Sequence, residues 1–393
     1  MSSRTGSSST SSRRRTTKTP RPLNKVLEPN NRRRKTTMTA VQTVSAKSGA
    51  AGSAVFPDSD SRRYRYFEPR SKRATHYEDV TVDVQPDPER YLLQDWIISF
   101  PNGKGAYTKD NTAALSSNWH AFRAPDQEWE RTHYQRQSKI EAMVQAVIAN
   151  GRKSGAPKSF DKAWVKILQN HLGAWKHAEF GLGTSLMQAQ RYGYTQMINN
   201  ATLTNSSYKL RLSQDITLYL AEIGMDIPGF DDTAGKRVWL EDKGWQGTRE
   251  AIESIMGSAD YFEQYFATNI VFEPLVGELF RSGFLMQVAS SNGDFITPPV
   301  ISSAEADYER NLANTIDLMH LLVTDNQHGA HNKKLFQGWV NKHVALANKA
   351  AAGLQPIWSQ PHSKPVQYAD ARAQSVERIK KILGELGLTF PKE

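Results

Sequence analysis

From about residue 126 to the C-terminus, large apolar side chains return every three or four residues. Trp164, Leu168, Leu172, Trp175, Leu182 and Leu186 recur at three- to four-residue and seven-residue steps and mark one helix face. This spacing predicts a helix over about 159–200, some 60 Å long at about 1.5 Å per residue. Further helices are predicted at about 127–149, 207–223, 235–255, 258–288, 304–325, 331–352 and 367–386. Val376, Ile379, Leu383 and Leu386 give the last of these its own stripe. Turn chemistry separates the elements at Gly151 to Pro157, Pro228-Gly229, Ser291-Asn292-Gly293 and Gly353 to Pro356. The pattern is that of an all-α bundle, with no internal repeat of domain-building length.

The pattern is different before residue 119. Residues 61–118 carry aromatics (Tyr64, Tyr66, Phe67, Tyr91, Trp96, Phe100) and prolines at 69, 86, 88 and 101, without a helical period. Tyr77 to Gln85 alternates weakly and reads as extended. Such a segment makes no core alone and is expected to lie as an arm over another surface, with Tyr64, Tyr66, Phe67 and Trp96 as anchors. Residues 1–60 are rich in Ser, Thr and Arg and poor in large apolar side chains, so this tail is expected to stay disordered when the chain is alone. Three parts result: tail 1–60, arm 61–118 and helical domain 119–393.

Charge follows the same division. The whole chain is +10, but residues 1–75 hold 18 Lys/Arg against 4 Asp/Glu, a net of +14, which leaves the remainder at −4. A reading as a nucleic-acid-binding protein therefore rests on the tail alone. The chain has no Cys, which excludes disulfides, thiolate zinc sites and Fe–S ligation. No apolar stretch approaches the ~18–20 residues of a membrane span, and no secretory signal pattern is present.

Two helical frames carry the chemistry. A di-iron carboxylate bundle needs two E-x-x-H pairs, whose i and i+3 side chains face one interior, and two single carboxylates. Tyr208-Lys209-Leu210-Arg211-Leu212 has the frame of one such element, with Lys209 and Leu212 at the ligand positions. Asp307-Tyr308-Glu309-Arg310-Asn311 has it again, with Tyr308 and Asn311 there. A cation and an aliphatic side chain do not ligate iron. Against this reading stand Glu130/His133, a true E-x-x-H, and the near match Asp317/His320. Together they define the alternative, a stand-alone di-iron oxidase or oxygenase. Glu179, Glu263, Glu273 and Glu278 sit on apolar helices and should pair with basic groups, for which Arg191, Arg211 and Arg281 are candidates. The scattered histidines, among them His171, His177, His328, His331 and His343, are expected to be satisfied or solvated. No phosphate-binding glycine loop or nucleophile elbow occurs. Gly181 and Gly183 are expected to let another helix approach closely.

Three stretches carry a family resemblance: Trp119-His120-Ala121-Phe122-Arg123-Ala124-Pro125-Asp126, His177-Ala178-Glu179-Phe180, and Thr268-Asn269-Ile270-Val271-Phe272-Glu273-Pro274-Leu275. The chain resembles the hydroxylase small (beta) subunits of bacterial soluble multicomponent di-iron monooxygenases over roughly residues 64–386. It looks most like the branch that oxidises propane, with the methane, toluene/phenol and alkene branches as alternatives. The resemblance implies a ferritin-like, ribonucleotide-reductase-like bundle in the cytoplasm of a bacterium. It implies an (αβ)₂ assembly with a large subunit that carries the di-iron centre. A reductase with NADH, FAD and an Fe–S cluster and a coupling protein complete the system. No catalytic, cofactor-binding or metal-ligating residue is assigned to this chain.

Overall fold

The computed structural model describes Pro69, residues 74–81 and residues 108–391. The tail 1–60 and the four expected anchors, Tyr64, Tyr66, Phe67 and Trp96, lie outside the described residues. Among those described there is no strand. The chain is a ferritin-like helical bundle.

Helix α1 is short, His76–Thr81. It corrects the extended reading of Tyr77 to Gln85 at its start. The reason is local: the Glu78 carboxylate accepts from the Thr75 N–H at 3.0 Å and Thr75 Oγ1 accepts from the Glu78 N–H at 3.2 Å, a reciprocal cap. Tyr77 then anchors the turn, its hydroxyl accepting from the Ala124 N–H at 3.1 Å. Residues 112–118 cross the bundle surface as extended chain. Asp260 accepts from the Ala113 N–H at 2.7 Å, and Asn332 brackets Leu115 through bonds of 2.9 and 2.7 Å. This part of the expected arm is therefore held by its own chain.

Helix α2 is Glu130–Lys153. Helix α3, Lys162–Ile167, continues through a π-turn at Leu168–Leu172 into α4, Gly173–Tyr192. Asp161 caps this long run by accepting from the Ala163 and Trp164 N–H groups at 2.8 and 3.2 Å. Helix α5 is Gln196–Gly224, and the break before it falls at residues 193–195, earlier than the sequence predicted. Thr202, Asn205 and Ser206 fall in the gap between the helices predicted at 159–200 and 207–223, and Asn200 at its edge, yet all four are helical and buried. Asn200 donates to the Glu128 carbonyl at 2.8 Å and Ser206 to that of Gly183 at 2.7 Å. Gly183 lets α4 and α5 close together: a Cβ there would stand 2.8 Å from Leu210.

Helix α6, Ala234–Glu241, and α7, Lys243–Met256, replace the single helix predicted at 235–255, because Asp242 leaves helical geometry and caps α7. The central helix begins as α8, Tyr261–Phe266, and runs on as a π-segment, Ala267–Gly277. It continues through α9, Glu278–Phe280, a π-turn, Arg281–Leu285, and α10, Met286–Val288. Every residue from 261 to 277 is buried, the polar ones among them, such as Asn269 and Glu273, with partners inside the bundle. Pro274 has no N–H to give, and the wider π geometry absorbs the lost bond. Helices α11, Thr297–Val323, α12, Gly329–Leu354, and α13, Tyr368–Glu385, complete the bundle. Helix α4 packs on α5, α11 and α2 flank α5, and α12 and α13 close over the π-segment. From α13, Ser375 and Arg372 donate to the carbonyls of Pro274 and Leu275 at 2.6 and 3.3 Å, so carbonyls of the π-segment keep partners.

Candidate functional site

The interior facing α4, α5, the π-segment and α11 holds a cluster of ions instead of an apolar core. Glu179 comes from α4, Lys209 from α5 and Glu273 from the π-segment; Arg281 follows two turns later. All four are at most 1 % exposed at their side chains. The Lys209 ammonium donates to Glu179 Oε2 at 3.0 Å and to Glu273 Oε1 at 2.5 Å. The Arg281 guanidinium spans the same two carboxylates, reaching Glu179 Oε1 at 2.9 Å and Glu273 Oε2 at 2.6 Å. Its Nε also meets Glu305 on α11. Trp175 Nε1 donates to Glu179 Oε1 at 2.9 Å. Gly277 leaves the room: a Cβ there would stand 2.4 Å from Glu273 Oε2.

Every oxygen of Glu179 and Glu273 is thus taken by a cation fixed to the chain. Burial pushes the Glu273 carboxyl up, but Arg281 and Lys209 outweigh it and hold it at about 2. The same surroundings raise Arg281 above its ordinary range, since burial opposes its charge less than Glu273, Glu305 and Glu179 favour it. The frame positions are filled with similar finality. Leu212 is fully buried. Tyr308 donates to the Asn269 carbonyl at 3.1 Å, and Asn311 donates to that of Asp307 at 2.8 Å. These residues do not fit a di-iron centre. Next to the cluster, burial lifts Glu278 to about 8 although Arg378 holds it at 2.6 Å.

A second network ties α2, α5 and α11. Arg136 grips Glu128 at 2.7 and 2.9 Å and reaches Asp307 at 2.5 Å. Gln137 donates to both Asp307 oxygens at 3.1 and 3.0 Å, and Arg211 bridges Gln137, Asp215 and Asp307. Burial raises Glu128, but Arg136, His133 and Arg310 overcome that and leave it well below the usual carboxylate range.

The alternative site is corrected here. His133 is buried, but its Nδ1 meets Glu128 at 3.0 Å, from the stretch before the helix, and not Glu130. Glu130, Asp317 and His320 are exposed. Among the described residues no three His, Asp or Glu side chains are grouped to hold a metal. The expected pairing of buried carboxylates holds for Glu179 and Glu273 with Arg281. Glu263 pairs with His343 and Lys342, both at 2.7 Å, and Glu278 with Arg378. Arg211 serves Asp215 and Asp307 instead. His171 is a satisfied core residue: Trp245 donates to its Nδ1 at 3.0 Å, its Nε2 meets Gln360 at 2.9 Å, and burial lowers its pKa.

Residues 96–326 match the Methane/Phenol/Alkene Hydroxylase family, and the chain belongs to it. Within the family it is similar to hydroxylase-component small subunits of propane 2-monooxygenase. That of Gordonia sp. (strain TY-5) is 44% identical over 339 residues, which is 86% of this chain and 92% of the relative. The beta chain of methane monooxygenase component A from Methylosinus trichosporium is 25% identical, over 72% of this chain and 75% of that one. The fold is shared with toluene 4-monooxygenase (TM-score 0.64, 22% identity, 75% of this chain and 97% of that chain). It is also shared with phenol hydroxylase from Pseudomonas sp. OX1 (TM-score 0.69, 16% identity, 81% of this chain and 92% of that chain). No helix among the described residues is long and apolar enough to cross a membrane.

Proposed function

We propose that this chain is the small, non-metal-binding subunit of the hydroxylase component of a soluble di-iron monooxygenase. It supports NADH- and O₂-dependent hydroxylation of a small hydrocarbon, propane to 2-propanol, in a large subunit that holds the irons. The assembly is (αβ)₂, served by a coupling protein and by a reductase carrying FAD and an Fe–S cluster, in the bacterial cytoplasm. No residue of this chain is catalytic or binds a cofactor in this scheme.

One observation carries the reading. Lys209 and Arg281 occupy the space between Glu179 and Glu273, where the frame of a di-iron bundle would converge. The chain therefore offers architecture, and the chemistry belongs to its partner. Packing a second bundle beside the metal-bearing one buries apolar area at about 25 cal/mol per Å² and steadies the ligand-bearing helices. The test is iron analysis of the purified hydroxylase and of its separated chains, with propane-dependent NADH oxidation as the activity. Iron should follow the large subunit. Stoichiometric iron in this chain alone, lost in Glu130→Ala or His133→Ala, would establish the stand-alone enzyme instead.

A further inference from the structure

Helix α13 crosses the central helix along its π-wound stretch, and the two do not close fully. Between them lies a cleft of about 420 Å³. That volume falls in the range of small-molecule sites, about 300–1,000 Å³. Leu279 and Val366 give the cleft apolar wall, and Glu278, Ser282, Gln374 and Arg378 bring polar groups to the same space. Apolar lining with a few convergent polar groups is the usual make-up of a ligand site. π-Geometry in a helix recurs at such sites.

The charge at the cleft is unbalanced. Arg378 Nε holds Glu278 at 2.6 Å, but its other end is taken by Glu309 of α11. The next cation inward, Arg281, is already engaged by Glu179, Glu273 and Glu305. With Lys209 included, five carboxylates in this chain of ion pairs meet three cations. From α11, Glu305 and Tyr308 also face Glu278. Glu278 stands at the outer end of the deficit. Its side chain is 16 % exposed and that of Arg378 35 %, so the carboxyl can be reached from the cleft. Without a further cation the deficit is met by a proton: burial and Glu305 oppose the charge on Glu278 more than Arg378 and Arg281 favour it, which lifts it to about 8.

An ammonium group is the cation that suits this space. Its three N–H donors match the Glu278 carboxylate, the Ser282 hydroxyl oxygen and the side-chain carbonyl of Gln374. The Ser282 hydroxyl donates to the Met286 sulfur at 3.8 Å, which leaves its oxygen able to accept. A hydrocarbon chain on the ammonium would lie along Leu279 and Val366. A carboxylate suits it less, because both ends of Arg378 are engaged. We propose that the cleft between α13 and the central helix is a binding site for a small aliphatic amine, with its ammonium on Glu278 and Ser282 and its chain against Leu279 and Val366. The site goes beyond the functional reading above and does not depend on it.

The test titrates hexylammonium into the full-length chain, alone and within the purified hydroxylase, by isothermal calorimetry. Saturable binding of about one amine per chain is expected in both. Hexanol has the same chain without the charge and hexanoate carries the opposite charge; each should bind at least about tenfold more weakly. Glu278→Gln keeps the size of the side chain. It should lower the affinity at least about tenfold while far-UV circular dichroism stays that of the wild type. The wild type gives a readout that needs no variant. At pH 7 the amine displaces the proton on Glu278, so titrations in two buffers of different ionisation enthalpy should show release of up to about one proton per amine. At pH 9.5 Glu278 is already ionised and the release should vanish. Absence of saturable binding, equal or tighter binding of hexanol or hexanoate, or wild-type affinity in the folded Glu278→Gln would overturn the site. So would hexylammonium binding at pH 7 without proton release. Binding by the isolated chain that is lost in the hydroxylase would also overturn it, because the cleft would then be covered by a partner.

Discussion

Replacing Lys209 by Met keeps the aliphatic stem and removes the ammonium that bridges Glu179 and Glu273. The cluster changes from two cations facing Glu179, Glu273 and Glu305 to one cation facing the same three carboxylates. Taking one partner from a buried pair costs about 3–5 kcal/mol. Glu273 gives a second figure. Its carboxyl is held at about 2 instead of 4.5. A depressed carboxylate contributes stability that is present above its unfolded pKa and lost as pH falls through the folded one. At about 1.4 kcal/mol per pH unit, the interval amounts to a few kcal/mol, shared between Arg281 and Lys209. Lys209 accounts for only part of that figure, so the expected loss is the lower end of the pair-breaking range, about 3 kcal/mol. Unfolding entropy of about 0.6 kcal/mol/K for the helical domain converts this to a fall in Tm of about 5 °C. Thermal melting by circular dichroism at pH 7.5 and pH 5 reads it. The deficit should shrink at pH 5, because carboxylates left short of a cation take up protons more readily than in the wild type. Lys209→Met/Glu179→Gln restores the balance of charge and should recover at least half of the lost Tm. A fall below about 1 °C, or a deficit that grows on acidification, would refute the account.

Two further outcomes follow from charges elsewhere in the bundle. Glu278, lifted to about 8 by burial despite Arg378, keeps its proton in the folded state where the unfolded chain has lost it. Its contribution therefore falls as pH rises from the unfolded value toward 8, and Glu278→Gln should gain about 2–4 kcal/mol relative to wild type between pH 5 and pH 8; a pH-independent difference would contradict this. Glu128→Gln should cost about 2–4 kcal/mol in urea titrations, because Arg136 is left with Asp307 alone and Arg310 and His133 lose the carboxylate they share. Glu130→Ala, at an exposed position, should stay within about 0.5 kcal/mol, and the reverse order would restore Glu130 as the partner of His133.

The frames at 208–212 and 307–311 were legible because an i, i+3 relation needs no knowledge of the rest of the chain. Helix existence was legible for the same reason, from the period of apolar positions. What was hidden depended on distant partners. Arg281 joins Glu179 across 102 residues and Glu273 across eight, and no local spacing announces the first. The sequence did show that Arg281 and the glutamates sat on apolar helices, which is why pairing could be expected though not assigned. His133 misled because its partner lies at Glu128, five residues back on a non-helical stretch, where helical spacing does not apply. The break near 193 was misplaced because the small polar residues at 200–206 serve helix packing, and composition alone reads them as a loop. The π-turns left no sequence signal beyond Pro274.

A fully apolar core in place of the ion cluster would often be as stable. Lys209 and Arg281 fix α4, α5, the π-segment and α11 to one another through carboxylate oxygens that each have a defined donor. The outer side of the hairpin is built from the next residues along: Phe180 follows Glu179, and Leu210 follows Lys209. Whatever sets the ion pairs therefore sets the spacing and tilt of the hairpin. The cations are part of the chain, so this geometry is complete as soon as the chain folds and does not wait on metal loading. On the proposed reading, a small subunit that steadies a metal-bearing neighbour uses that independence, which Lys209 and Arg281 supply.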